Sequence, residues 1–192
     1  MRALEATMVS LEISDSTLRC LNGKRENSSS IDQGMIWSVE IKDLALIAEY
    51  TTSEGPYLDD YFLVFVSVEN GRAYNSRCTF YADGRDEALQ ALGTRLGADL
   101  RLGLFNSTEW TSRVVWPAHL QGDEYFHFTQ VKPVGLLSTM SKAWFGPQLE
   151  YSVADPVRAY IREASSQAGR YGISSGLDSA EKIPQGLKPT NQ

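Results

Sequence analysis

The chain has 192 residues, of which 42% are hydrophobic and 22% charged, and its formal net charge is −6. That length suits one domain with extensions, and the apolar share is enough for a closed core, which excludes a mostly disordered chain. The acidity sits in the first half: residues 1–99 carry nine basic against sixteen acidic residues, and residues 100–192 carry nine against eight. Binding to nucleic acid or to an anionic membrane surface draws on clustered Lys and Arg. Here the basic residues are dispersed, with Lys24-Arg25 the one adjacent pair, and both partner classes are disfavoured. Residues 1–7 lack the apolar run of a signal peptide, and no stretch reaches the ~20 apolar residues of a membrane span. A soluble, cytoplasmic protein is the expectation. Cys20 and Cys78 form no CxxC and are too few for a disulfide framework; both fall in predicted strands as small buried hydrophobes.

Val9, Leu11 and Ile13 alternate with polar residues, which predicts a strand with one buried face. Asp15-Ser16 is a turn, Thr17 to Leu21 a second strand, and Asn22-Gly23 a hairpin signal. Lys24 to Gly34 is polar, either a ragged edge strand or a long loop, and Met35 to Val39 is apolar again. Asp43 to Tyr50 is short for a helix and reads as a strand ending in the loop 51–60. Tyr61 to Val68 is a near-continuous run of β-branched and aromatic residues. Glu69-Asn70-Gly71-Arg72 turns it back into a half-polar strand reaching Tyr81.

A helix is predicted over about 84–96, with Asp83 as N-cap, Leu89, Leu92 and Leu96 at i, i+3 and i+7, and Gly97 at the C′ position. Gly93 within it is expected to mark a close approach to the sheet. Leu100, Leu102 and Leu104 alternate as a short strand or return segment. Arg113 to Trp116 and Tyr125 to Thr129 read as strands, and Leu136 to Phe145 as one helical turn or a loop. Asp155-Pro156 starts a second helix over about 155–168, with Val157, Ile161, Ala164 and Ala168 as its apolar stripe. Residues 169–192 read as a polar tail.

The succession of antiparallel strands over residues 7–97, closed by one amphipathic helix, resembles the pleckstrin-homology-like fold. In that fold a bent antiparallel sheet, a partly open barrel, is capped by such a helix. The segments that carry the likeness to bacterial members are Trp37-Ser38-Val39-Glu40-Ile41-Lys42-Asp43-Leu44, Asp59 to Phe65, and Gly84 to Leu89. The resemblance implies an α+β core over 7–97, with residues 98–168 as an extension packing on it. It also implies a binding module. Members that take phosphoinositides use basic residues of the first hairpin, here Arg19, Lys24 and Arg25, but Glu26 and the acidic first half argue against that ligand.

No motif announces a reaction, so no catalytic residue, metal or cofactor is assigned. GxGxxG and GxxxxGK[ST] are missing. Gly172-Ile173-Ser174-Ser175-Gly176 matches GxSxG, but no strand precedes it and no helix follows. His119 and His127, with Asp123 and Glu124 between them, allow a small hydrolase or metal-dependent enzyme to be drawn as an alternative. Two segments suit a protein partner better. Glu54, Asp59 and Asp60 gather three carboxylates in one loop, fit to receive a basic surface, as an immunity or antitoxin-like protein does. Trp110, Arg113 and Trp116 are of the types that dominate interface energetics. The sequence therefore points to a non-catalytic binding or scaffold module whose partner is a protein.

Overall fold

The computed structural model describes residues 9–22, 34–53, 59–130 and 149–171. Within them the protein is α+β, with two α-helices and three antiparallel sheets, none closed into a barrel. Strands β1 (Val9–Ser14), β2 (Thr17–Asn22) and β3 (Met35–Glu40) form the first sheet. Strands β4 (Leu44–Thr51), β5 (Tyr61–Glu69), β6 (Arg72–Thr79) and β7 (Thr111–Trp116) form the second, in the order β6-β5-β4-β7. Strands β8 (Phe126–Gln130) and β9 (Leu149–Val153) pair as a two-stranded third. Helix α1 is Arg85–Leu96 and helix α2 is Asp155–Tyr171.

The second sheet is the central layer. All eight residues of β4 are buried, as expected of a strand covered on both faces. One face packs Ile47, Leu63, Phe65 and Val115 against Leu11, Leu18 and Val39 of the first sheet and Ala88, Leu89 and Leu92 of α1. The other packs Leu46, Ala48, Val64, Val66 and Val114 against Leu120, Tyr125, Phe126 and Val157, with Tyr160 and Ile161 of α2 alongside. Residues beyond 97 thus supply a strand to the central sheet and cover its second face. Ser112 joins the third sheet to it: its hydroxyl accepts from the Phe126 amide at 2.8 Å and donates to the Phe126 carbonyl at 3.2 Å.

Turn chemistry accounts for two of the connections. Asp15 at φ 51° reverses β1 into β2, with Ser14 facing Thr17. Asn70 at φ 52° and Gly71 at φ 76° are both left-handed, as a type I′ turn requires, and Glu69 faces Arg72 across it. The Asn22-Gly23 signal does not make such a hairpin. Leu21 pairs with Met35, and the Asn22 amide donates to the Gly34 carbonyl at 2.9 Å, so the chain between β2 and β3 is long. Lys24 to Gln33, Leu136 to Phe145 and the GxSxG segment lie outside the described residues.

Helix α1 ends as expected, with Gly97 at φ 61°, but it starts differently. Gly84, not Asp83, is the N-cap, and no side chain caps the helix. Asp83 is spent on β1 instead: its amide donates to the Val9 carbonyl and its carbonyl accepts from the Leu11 amide, both at 2.8 Å. This parallel bridge fixes α1 against the first sheet. Gly93 approaches the chain that follows the helix and not the sheet; a Cβ there would lie 2.7 Å from the Ala98 carbonyl. No strand forms over residues 100–104, because that segment bonds to a side chain in place of a ladder.

Gly84 has φ 70°, and a Cβ on it would meet the Leu11 carbonyl at 2.8 Å, whereas Gly97 has nothing within 4 Å. Gly97→Ala is therefore expected to cost about 1 kcal/mol, the left-handed penalty alone. Gly84→Ala should cost more, about 2–3 kcal/mol, because the bridge to β1 must also shift. Urea denaturation of the two variants measures the difference.

Candidate functional site

Among the described residues the most unusual side chain is Glu49. It lies within β4, among Leu, Ala, Ile and Tyr, and is completely buried. A buried carboxylate is tolerated only when donors surround it, and four groups do so. Arg113, its register partner on β7, gives Nε to Oε1 at 2.9 Å, and its Nη2 stands at 2.9 Å from the same oxygen. The Tyr61 hydroxyl donates to Oε2. The Gly103 amide reaches both oxygens, at 2.9 and 3.2 Å. Arg113 Nη2 also donates to the Arg101 carbonyl at 2.6 Å. Gly103 is required here: a Cβ on it would stand 2.5 Å from the guanidinium. Burial, followed by the bond to Glu49 and its negative charge, pushes the Tyr61 phenol far above its ordinary range.

The carboxylate at the centre of this cluster is sealed from solvent and saturated. Each Glu49 oxygen already has its donors, and among the described residues no buried polar side-chain atom lacks a partner. Its effect is to pin β7 and the segment 101–103 onto the central sheet. The sequence held a signal for it, one carboxylate in the apolar run Leu44 to Tyr50, but nothing local identified its partners.

The register of the central sheet then gathers several loops at one end. Thr51 faces both Tyr61 and Thr111. The residues just outside those three, Ser53, Asp60 and Trp110, therefore emerge at the same end of the sheet, with Asp60 and Trp110 on opposite sides of β4. Trp110 Nε1 donates to Ser53 Oγ at 3.0 Å, and the Thr51 hydroxyl to the Glu109 carbonyl at 2.7 Å. Past the end of β6 come Phe80, stacked on Tyr61 with ring centres 4.0 Å apart, and Tyr81, edge-on to Phe80. The Tyr81 hydroxyl donates to Asp60 at 2.8 Å, a bond that raises its pKa, while its ring is 59% exposed.

Beside this end runs a groove of about 770 Å³ between α1 and residues 97–105. Phe80, Leu89, Leu100 and Leu102 give it an apolar floor, and Phe105, 65% exposed, stands at its edge. Arg85 lies over the Phe80 ring, 3.7 Å from its centre, with Asp86 beside it.

The residues singled out in the sequence divide accordingly. Asp59, exposed, and Asp60, half-buried, lie at this end, where Asp60 meets Tyr81; Trp110, half-buried, lies at the same end across β4, beside Glu124 and His127. Arg113 turns inward to Glu49, and Trp116 packs at the border of the first core. Glu54 lies outside the described residues. His119 packs edge-on against Tyr160 of α2, whereas His127 pairs with Glu124 at 2.8 Å beside Trp110, so these contacts set the two histidines against different residues. Among the described residues no three His, Cys, Asp or Glu side chains gather as metal ligands, and no helix is long and apolar enough to cross a membrane.

Neither the known protein families, the curated proteins nor the solved structures yield a match to this chain.

Removing Arg113 leaves a fully buried carboxylate with only two donors. Arg113→Ala is therefore expected to cost about 3–5 kcal/mol in urea denaturation. Combined with Glu49→Ala it should cost much less than the two single losses added together, since neither charge is then stranded.

Burial is also the main cause that raises the Tyr125 phenol. Tyr61 and Tyr125 thus hold their protons in the folded protein after the unfolded chain has begun to release them, near pH 10. The stability this gives is complete below about pH 10 and is lost as pH rises further. The urea midpoint should fall steeply above that pH, and Tyr125→Phe should flatten the fall.

Proposed function

We propose that this chain is a non-catalytic binding module that docks a protein segment carrying apolar side chains flanked by Lys or Arg. Its docking surface is the end of the central sheet formed by Asp59, Asp60, Tyr81 and Trp110, together with the groove between Phe80 and Phe105. The observation that carries this reading is the meeting of exposed aromatic rings, carboxylates and an open apolar groove in one place. Aromatic side chains supply contact area at low entropic cost, and carboxylates on the rim select a basic partner. Lipid headgroups and nucleic acid, which need a positive face, fit this surface poorly.

The most chemically endowed cluster, Glu49 with Tyr61 and Arg113, supports the same reading from the other side. The Glu49 carboxylate is fully buried and its donors satisfy it, with Arg113 only partly exposed, which suits a structural pin. The hydrolase alternative through His119 and His127 gains no support from their separate surroundings. As part of this reading we take the strands and helix up to residue 97 as a pleckstrin-homology-like core, on the strength of two antiparallel sheets that share a core with α1. We also place the protein in the cytoplasm, where thiols such as the free Cys20 and Cys78 are kept reduced.

Selection of a random-peptide display library on the full chain tests the proposal. Enriched peptides should combine aromatic or aliphatic residues with Lys or Arg. Their affinity should fall about tenfold with Phe105→Ala. It should fall further at high salt, and less steeply with salt in Asp59→Asn/Asp60→Asn. Peptides that bind both variants as tightly as the parent protein, or an unenriched library, overturn it.

A further inference from the structure

Cys20 and Cys78 come from strands β2 and β6, in two sheets that no backbone ladder joins. Their sulfurs nevertheless lie 3.6 Å apart across the first core. Both are free and almost wholly buried, at 0% and 2% exposure. The surroundings hold them in register. Cys20 faces Trp37 on β3, and Cys78 faces Leu63 on β5. Trp37 in turn packs on Phe65 and donates its indole N–H to the Arg77 carbonyl at 2.7 Å, one residue from Cys78. That bond stitches the two sheets together beside the sulfurs. Two buried thiols would pack no better facing each other than apart, and the other buried residues of the same core are Leu, Val, Ile, Ala and Phe.

We propose that Cys20 and Cys78 are a site of reversible covalent modification, a dithiol that a small peroxide oxidises to a disulfide linking the first and second sheets. A bond length of about 2 Å needs the sulfurs to close by roughly 1.5 Å, a movement open to χ1 rotation and a small approach of the sheets. Deprotonation falls on Cys20, since the Cys78 S–H then donates to the thiolate and lowers the Cys20 pKa, while Cys78 is raised. The Cys20 thiolate attacks one peroxide oxygen, forming an S–O bond as the O–O bond breaks; the departing hydroxide takes up the proton that Cys20 released and becomes water. The Cys78 sulfur then attacks the sulfenic sulfur, forming the S–S bond and expelling a second water that carries the Cys78 proton. Two thiols lose two electrons and hydrogen peroxide is reduced to two waters. A peroxide is close to water in size, so transient local opening of the core admits it, whereas bulky thiol reagents are excluded.

The linkage spans 58 positions of the chain, a long loop, and long loops restrict the unfolded state most. Full-length protein treated with hydrogen peroxide should lose two mass units per chain and gain no disulfide between chains. Its Tm should rise by about 10 °C, and dithiothreitol should reverse both changes. Cys20→Ala and Cys78→Ala should show neither the mass loss nor the rise. Should both variants fail to fold, peptide mapping of the oxidised parent protein decides, with a linked Cys20–Cys78 peptide expected. Several results overturn the proposal: a gain of oxygen on either sulfur in place of the link, thiols that persist through prolonged exposure, disulfides between molecules, or a link that dithiothreitol does not open in the folded protein.

Discussion

The arrangement depends on one buried charge. Glu49 sits in the strand at the middle of the molecule, where no water can solvate it. An ionised carboxylate in that place imposes a demand for donors from whatever surrounds it. Arg113 answers from the neighbouring strand, Tyr61 from the other side, and the Gly103 amide from an irregular segment. Three stretches far apart in the chain are thus held at one point. A hydrophobic residue at position 49 could bury as well, but it would leave the register of β7 and the path of residues 101–103 undirected. The ion pair contributes geometry more than net stability, because desolvation offsets much of its attraction.

That geometry explains why the exposed features lie where they do. With Thr51, Tyr61 and Thr111 aligned, the residues flanking them emerge at one end, and Phe80 is stacked onto Tyr61, whose hydroxyl holds the buried carboxylate. Asp60 and Tyr81 then meet by hydrogen bond, and residues 101–103, tethered below, carry Phe105 to the edge of the groove. The aromatic and acidic surface is a consequence of the pin beneath it.

The central sheet is antiparallel yet covered on both faces, which antiparallel sheets often are not. The first sheet and α1 cover one side, and the 3₁₀ turn at Ala118–Leu120, the β8–β9 pair and α2 cover the other. The two sides are held by different means. On the second, backbone and Ser112 bonds reach from β7 to the chain that follows it. On the first, side chains meet between the sheets, among them Trp37 and the two cysteines, and the backbone bridge between β1 and Asp83 adds one tie, with Gly84 letting the start of α1 lie against β1.

Local signals determined a good part of this protein. Alternation at Val9 to Ile13, the apolar run at Tyr61 to Val68, Asn70-Gly71 and the Leu89/Leu92 spacing each act over a few residues, and each produced the element it indicated. The α+β class with antiparallel sheets follows from their order. Where a signal met a longer-range demand, the latter prevailed. Asp83 was suited to cap a helix, but its backbone was taken by β1; Asn22-Gly23 was suited to a tight turn, but Leu21 pairs with Met35. Arg113 resembled an interface residue until Glu49 required its charge inside. Which carboxylate meets which guanidinium, which two sulfurs meet across the core, and which loops share an end of the sheet are decided only by tertiary structure. Pairing across 58 or 64 positions leaves no periodic trace in the chain: burial and electrostatics act through space, while sequence patterns record only neighbours along it.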